Sequence, residues 1–270
     1  MNLINGVIGD TICVTDRGLA YGDGVFRTLT MRGAQPVLWR RQYAKLAADC
    51  KALRLPCPAA ILLERDMAEI STHEPDCVIK IIITRGSGPR GYAIPGTVSA
   101  QRIVASAPLP DYPRNYYEVG VQARICDTRL ALQPMLAGIK HLNRLEHVLA
   151  RSEWSDAGIA EGLMLDASNN MICGTMSNLF AVKANELMTP DLAQCGVAGV
   201  MRDLTLELAR THGIRADISH LSKSDVLGAD ELFVLNSVIG VWQIVALDGR
   251  TWRKGLMTAR VRSWLSNAQK

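Results

Sequence analysis

At 270 residues, 48% hydrophobic and 21% charged, the chain has the makeup of a folded globular protein with one large or two small domains. Its formal net charge of +4 is spread along the sequence, and short basic runs such as Arg40-Arg41 and Arg250–Lys254 carry no interleaved aromatics. That excludes a nucleic-acid stripe and suits a small anionic ligand. Seven irregularly spaced cysteines with no C-x-x-C pair exclude a disulfide framework and a zinc site, so no metal is expected. With no basic-then-apolar leader, and no apolar run near the roughly 18 residues of a membrane span, a cytoplasmic protein without membrane contact is predicted.

In chain order, β-branched runs at Leu3–Ile8, Thr11–Val14 and Val25–Met31 are separated by Gly/Asp turns and read as strands. Trp39–Leu53 has helical spacing, with Trp39, Tyr43, Leu46, Ala47, Cys50 and Leu53 on one face. Pro56 and Pro58 end it, and Pro58 opens a second helix through Ile70. Val78–Thr84 reads as a buried strand, Arg85–Tyr92 as a glycine-rich loop and Arg102–Ala107 as another strand. The three prolines of 107–113 fit neither a sheet interior nor a helix, so residues 108–118 are expected to link a domain of 1–107 to one of 119–270. Beyond it, strands are predicted at Val119–Cys126, Gly162–Asp166, Leu179–Val182, Glu231–Asn236 and Trp242–Ala246. Helices are predicted at about 142–156, 200–212 and 254–266. The order lacks regular βαβ alternation, which favours an α+β fold over a doubly wound sheet.

The most informative stretch is 137–150. Lys140 ends an apolar approach (Leu136, Ala137, Gly138, Ile139), and a helical pattern of Leu142, Leu145 and Leu149 begins after it. An amine at such a junction can point into a cleft, where partial burial lowers its pKa. A neutral lysine can form a Schiff base and then act as a general base. A second candidate is Gly196-Val-Ala-Gly199-Val200-Met201-Arg202, a glycine turn entering a helix. Helix-start N–H groups there offer an anion site. Ser237, after the strand ending at Asn236, is a further anion contact, and Lys45 in the first helix is a third.

Taken together, Asp16-Arg17-Gly18, Tyr21-Gly22-Asp23-Gly24-Val25-Phe26, Lys140 in Gly-Ile-Lys-His-Leu-Asn-Arg-Leu-Glu, Ser177-Asn178-Leu179-Phe180 and Gly199-Val-Met-Arg202 resemble the fold-type IV pyridoxal-phosphate enzymes. That group holds branched-chain and D-amino-acid aminotransferases and 4-amino-4-deoxychorismate lyase. Thr84–Tyr92 and Leu136–Leu149 are similar to the lyase branch in particular, and the resemblance runs from about residue 3 to 247. It implies a two-domain α+β fold of the D-amino-acid-aminotransferase type, with a small N-terminal α/β domain, a larger C-terminal mixed domain and pyridoxal 5'-phosphate in the cleft. It further implies a homodimer acting on a small molecule, coupled in function to the enzyme that supplies aminodeoxychorismate. Lys140 would carry the cofactor; Val200 and Met201 amides with Ser237 would hold its phosphate, beside Gly199 and Asn178. Arg85, Arg90 and Tyr92 are candidate anchors for the substrate's two carboxylates.

Three positions depart from the family pattern. Cys173 stands where the family has a Glu that holds the pyridine nitrogen, Lys45 where it has a phosphate-binding Arg, and Arg27 where a Glu is common. A thiol gives a weaker electron sink than a carboxylate-held pyridinium, and an ammonium lacks the bidentate fork of a guanidinium. The weaker sink harms an aminotransferase more than an elimination that ends in aromatisation. The favoured activity is therefore cleavage of 4-amino-4-deoxychorismate to 4-aminobenzoate and pyruvate. A small amino-acid aminotransferase and a degenerate non-catalytic relative are the alternatives.

Overall fold

The computed structural model describes residues 1–97 and 99–269. It divides into two compact units, Met1–Pro110 with Ile139–Asn143, and Asp111–Gly138 with Arg144–Lys270.

The first unit contains β1 (Asn2–Ile4), β2 (Val7–Ile8), α1 (Arg17–Tyr21), β3 (Gly24–Arg32), β4 (Gln35–Pro36), α2 (Trp39–Ala52), α3 (Ala60–Ser71), β5 (Cys77–Thr84) and β6 (Gln101–Ala107). Its strands form one six-stranded antiparallel sheet in the order β2-β1-β6-β5-β3-β4. The run of isoleucines in β5 makes it the centre of that sheet, with Ile79, Ile81 and Ile83 fully buried. Leu29 of β3, Leu46 and Cys50 of α2, and Leu63, Met67 and Ile70 of α3 complete the core. Of the face read from Trp39 onward, Leu46 and Cys50 are buried in α2, and Gln42 and Asp49 are buried with them. Two of those four are polar, which the hydrophobic pattern does not announce.

The second unit contains α4 (Asn115–Glu118), β7 (Val121–Leu130), α5 (Leu145–Arg151), β8 (Ile159–Asp166), β9 (Met171–Gly174), β10 (Asn178–Lys183), β11 (Glu186–Pro190), α6 (Val200–Thr211), β12 (Ala216–Ser219), α7 (Lys223–Leu227), β13 (Glu231–Asn236), β14 (Gly240–Leu247), β15 (Arg250–Thr251) and α8 (Leu256–Ala268). Its strands run β12-β11-β10-β13-β14-β7-β8-β9, and β9 also pairs with β10, so six of them close into a ring. Phe180 and Phe233 stack at 5.1 Å on adjacent strands, and Trp242 is buried beside Leu179, Val234 and Ile244.

Two expectations are corrected. Thr11–Val14 is not a strand; Val14 is 82% exposed and the segment has no ladder partner. The helix expected at 142–156 is only Leu145–Arg151, because the Leu142 amide donates to Gly24 O in strand-like pairing instead of starting a turn. The division between the units falls within the proline-rich stretch, and from Asp111 the chain belongs to the second unit, where Tyr112 and Tyr116 meet Trp242 edge-on at 4.8 and 5.1 Å.

Candidate active site

In the first unit, Ile139–Asn143 behaves as an added strand on β3. Phe26 N–H donates to Lys140 O at 2.9 Å, Leu142 N–H to Gly24 O at 3.0 Å, and Val25 bridges His141. Gly22 turns the chain into β3 with φ 66°, and a Cβ there would meet Asn143 Oδ1 at 2.4 Å, so only glycine fits. The Lys140 backbone is thus fixed on both sides. Its amide N–H donates to Asp49 Oδ2 at 3.2 Å, and its Nζ lies over the Phe26 ring, 4.6 Å from the centroid. The side chain is half-buried. A reactive amine needs this combination: a rigid base and a tip that can still reach a ligand. Lys45 lies one turn before Asp49 on α2 and is half-buried as well.

The glycine-rich loop does a different job from the one its arginine suggests. Arg85 is buried: Nε donates to Asp23 at 2.7 Å, Nη1 to Arg54 O and Nη2 to Leu53 O, each at 2.8 Å. Arg17 Nε donates to the same Asp23 oxygen at 3.0 Å, and its terminal nitrogens reach Gly91 O and Tyr92 O. A guanidinium engaged on three sides has no fork left for a substrate carboxylate, so Arg85 is corrected to a staple between β5, α2's end and α1. Burial works against ionisation of Asp23, but the hydrogen bonds from Arg85 and Arg17 outweigh it and hold the carboxyl below its ordinary value. Arg90 is exposed, and Tyr92 is 86% exposed with its ring 5.4 Å from that of Tyr21. Those two stay available to a ligand.

In the second unit, α6 starts at Val200, as the spacing predicts, with Gly199 as N-cap and no side chain capping it. The uncapped N–H groups of its first turn are donors at the positive end of a helix dipole. Asn178 builds the entry: its Nδ2 donates to Val197 O at 2.8 Å and its Oδ1 accepts from Gly199 N–H at 3.2 Å. A Cβ on Gly199 would sit 2.3 Å from that oxygen, which requires glycine. Cys173 is the register partner of Asn178 across β9 and β10, so Cys173, Asn178, Gly199, Val200 and Met201 form one connected structure. Ser237 lies in the turn after β13, shaped by Asn236 Oδ1 accepting from Val238 and Ile239 N–H.

The Cys173 side chain is packed with Cys126, Met164, Ile172, Leu192 and Cys195. Burial, with smaller contributions from Cys195 and Glu161, pushes its thiol far above the ordinary value, so it is neutral. Glu161, fully buried on β8, cannot stand in for a missing carboxylate. Oε1 accepts from Gly162 N–H, Thr175 N–H and the Thr175 hydroxyl, and Oε2 accepts from Ser177. Sequence reading had missed both Glu161 and Asp49. The available signal was an acid at a buried period position of a helix or strand. Among the described residues no group of His, Cys, Asp or Glu could hold a metal ion, and no helix is long and apolar enough to cross a membrane.

Each unit by itself offers chemistry that suits pyridoxal phosphate: the first an immobilised lysine amine for an aldehyde, and the second an uncapped helix start for a phosphate, with a neutral thiol at Cys173.

Comparison with known proteins bears on the same segments. The model of the amino-transferase class IV family matches residues 24–247. An aminodeoxychorismate lyase of Vibrio harveyi is 36% identical over 239 residues, 88% of each chain. A putative branched-chain-amino-acid aminotransferase of Methanocaldococcus jannaschii is 28% identical, over 88% of this chain and 83% of its own. Among solved structures, 4-amino-4-deoxychorismate lyase from Pseudomonas aeruginosa superposes with a TM-score of 0.95 at 44% identity, covering 99% of this chain and 98% of its own.

Proposed function

The chain belongs to the amino-transferase class IV family, and we propose that it is a pyridoxal-phosphate-dependent lyase that converts 4-amino-4-deoxychorismate to 4-aminobenzoate and pyruvate. Bound pyridoxal phosphate supplies an aldehyde that captures amines and a ring that draws electrons from the adjoining carbon. Lys140 would be the amine that holds the cofactor. The Val200 and Met201 amides and Ser237 would hold its phosphate, with Lys45 as the added cation and Gly199 and Asn178 shaping the turn. With the cofactor bound, Lys140 would be the base that takes the proton from the substrate's amine-bearing carbon. The enolpyruvyl ether leaves from the neighbouring carbon, the ring becomes aromatic, and Lys140 returns a proton to the departing enolpyruvate. Arg90 and Tyr92 are the exposed candidates for the substrate carboxylates. The same proposal has the protein act in the cytoplasm as a homodimer beside the enzyme that supplies its substrate.

The observation that carries lyase over aminotransferase is the buried, neutral Cys173. An aminotransferase must keep a carbanion alive long enough to reprotonate it at the cofactor. An elimination discharges those electrons with its leaving group, so it tolerates the weaker sink. The test is incubation of the purified, cofactor-loaded protein with 4-amino-4-deoxychorismate and no 2-oxo acid. Pyruvate and 4-aminobenzoate in equal amounts are expected from the wild type and none from Lys140→Ala. Product that appears only when an amino donor and a 2-oxo acid are supplied would turn the reading to aminotransferase.

A further inference from the structure

The hydrogen bond from the Lys140 amide is the odd one in its segment. Its neighbours donate to or accept from main-chain groups of β3, whereas this N–H donates to a side chain, Oδ2 of Asp49 on α2. The same oxygen is gripped by an Arg27 terminal nitrogen from β3. Both side chains are deeply buried, at 2% exposure for Arg27 and 6% for Asp49. Arg27 directly follows Phe26, whose N–H holds the Lys140 carbonyl and whose ring underlies Nζ.

We propose that Arg27 and Asp49 are a positioning pair for Lys140. Asp49 fixes the lysine's main chain through its amide, and Arg27 pairs with that carboxylate and aims it. The inference rests on the reading of Lys140 as the reactive amine. Its physical case is that a buried ion pair is a poor way to gain stability, because desolvating both charges consumes most of their attraction. Apolar side chains of similar size would fill the same space as well. An ionised acceptor does give the Lys140 amide a stronger and more directional bond than a neutral one. A reactive group displaced by about 1 Å can lose roughly a hundredfold in rate, so this rigidity has a use. The pair also accounts for Arg27, the residue whose charge is opposite to the Glu common at that place in the family. Its partner is Asp49, and the two stand or fall together.

The experiment measures how fast pyridoxal phosphate alone forms a borohydride-trappable adduct at Lys140, read by mass spectrometry of the intact protein and its peptides. Urea unfolding and kcat against KM are measured alongside. Asp49→Asn, which keeps the acceptor's shape but not its charge, is expected to slow trapping roughly tenfold and to lower kcat with KM nearly unchanged. Arg27→Lys, which keeps the charge, restores most of the trapping rate lost in Arg27→Met. The decisive variant is the double replacement Arg27→Met with Asp49→Leu. It is expected to match the wild type in urea midpoint, since no buried charge is left unpaired, yet to trap slowly. Wild-type trapping rates in either the Asp49→Asn or the double variant would overturn the proposal and leave the pair as packing. Wild-type protein that traps at some other lysine would instead overturn the assignment of Lys140, a result distinct from any variant effect.

Discussion

Cys173→Glu puts the family's carboxylate back into a place the structure describes as apolar. In the protein without cofactor, the new side chain must share its surroundings with Cys126, Met164, Ile172 and Cys195, near the charge of Glu161. An effective penalty of several kcal/mol for an unpaired buried ion applies, with about 1–3 kcal/mol more for overpacking. The sum, about 4–6 kcal/mol, is a large part of the ~5–15 kcal/mol that holds an ordinary domain together. A protonated ring nitrogen at hydrogen-bond distance would change that balance. At an effective dielectric constant near 20, its attraction for the carboxylate is about 5 kcal/mol. The variant is therefore expected to unfold at much lower urea without cofactor and to regain most of the loss on adding pyridoxal phosphate, with a cofactor-induced shift far larger than the wild type's. Turnover to 4-aminobenzoate and slow side transamination should both rise in the loaded variant. The assay is a pair of urea titrations, with and without cofactor. Equal losses in both, with no gain in either rate, would refute the claim that position 173 addresses the ring and leave Cys173 as a packing residue.

Arg85→Met should cost roughly 1–3 kcal/mol of stability, because it leaves two carbonyls without their donor and Asp23 to Arg17 alone, while KM measured well below the melting point stays close to that of the wild type. A raised KM at unchanged urea midpoint would restore Arg85 as a substrate anchor. Lys45→Arg should slow cofactor dissociation severalfold, since a guanidinium can grip two phosphate oxygens at once; an unchanged rate of cofactor loss on dilution would place Lys45 outside the phosphate site. The carboxyl of Asp23 is held below its unfolded value of 3.8, so its stabilisation is complete above that pH and drains as pH falls through the lower folded value. Asp23→Asn should therefore lose stability at neutral pH, with the gap to the wild type narrowing in acid; a gap independent of pH from roughly 2 to 6 would contradict this.

Long periodic segments were legible in the sequence because their burial follows from spacing alone. The helix read from Trp39 is α2, and the isoleucine run is the central strand β5. The glycine entry to α6 was legible too, since Gly199 and the helix start are adjacent in the chain, whereas the segment around Lys140 is held by the distant Gly24, Phe26 and Asp49 and begins no helix. What failed to show in the sequence depends on distant partners. Thr11–Val14 has the β-branched residues of a strand and no neighbour to pair with. Leu145, Val148 and Leu149 keep helical spacing, but they are 69%, 61% and 52% exposed, so their pattern marks no core of this unit. Arg85 in a glycine-rich loop looks the same in sequence whether it faces a ligand or Asp23, 62 residues away. Asp49 is the sharpest case. Its burial is set by Arg27 and the Lys140 amide, 22 and 91 residues distant, and no local pattern encodes either.

The departures at 27 and 173 both remove a negative charge from the family pattern, yet the structure treats them differently. At position 27 the reversal to Arg is answered within the same unit by Asp49, so the charge near Lys140 is rebalanced and put to use in holding its main chain. At position 173 nothing answers. Glu161, whose charge is felt there, spends both oxygens on Gly162, Thr175 and Ser177, and a turn toward Cys173 would leave those donors unpaired in the interior. On the proposed reading, the chain keeps in Lys140 the group that takes and returns a proton and lacks at position 173 the carboxylate that would prolong a carbanion. Elimination with aromatisation needs the first far more than the second, and aminotransfer needs both.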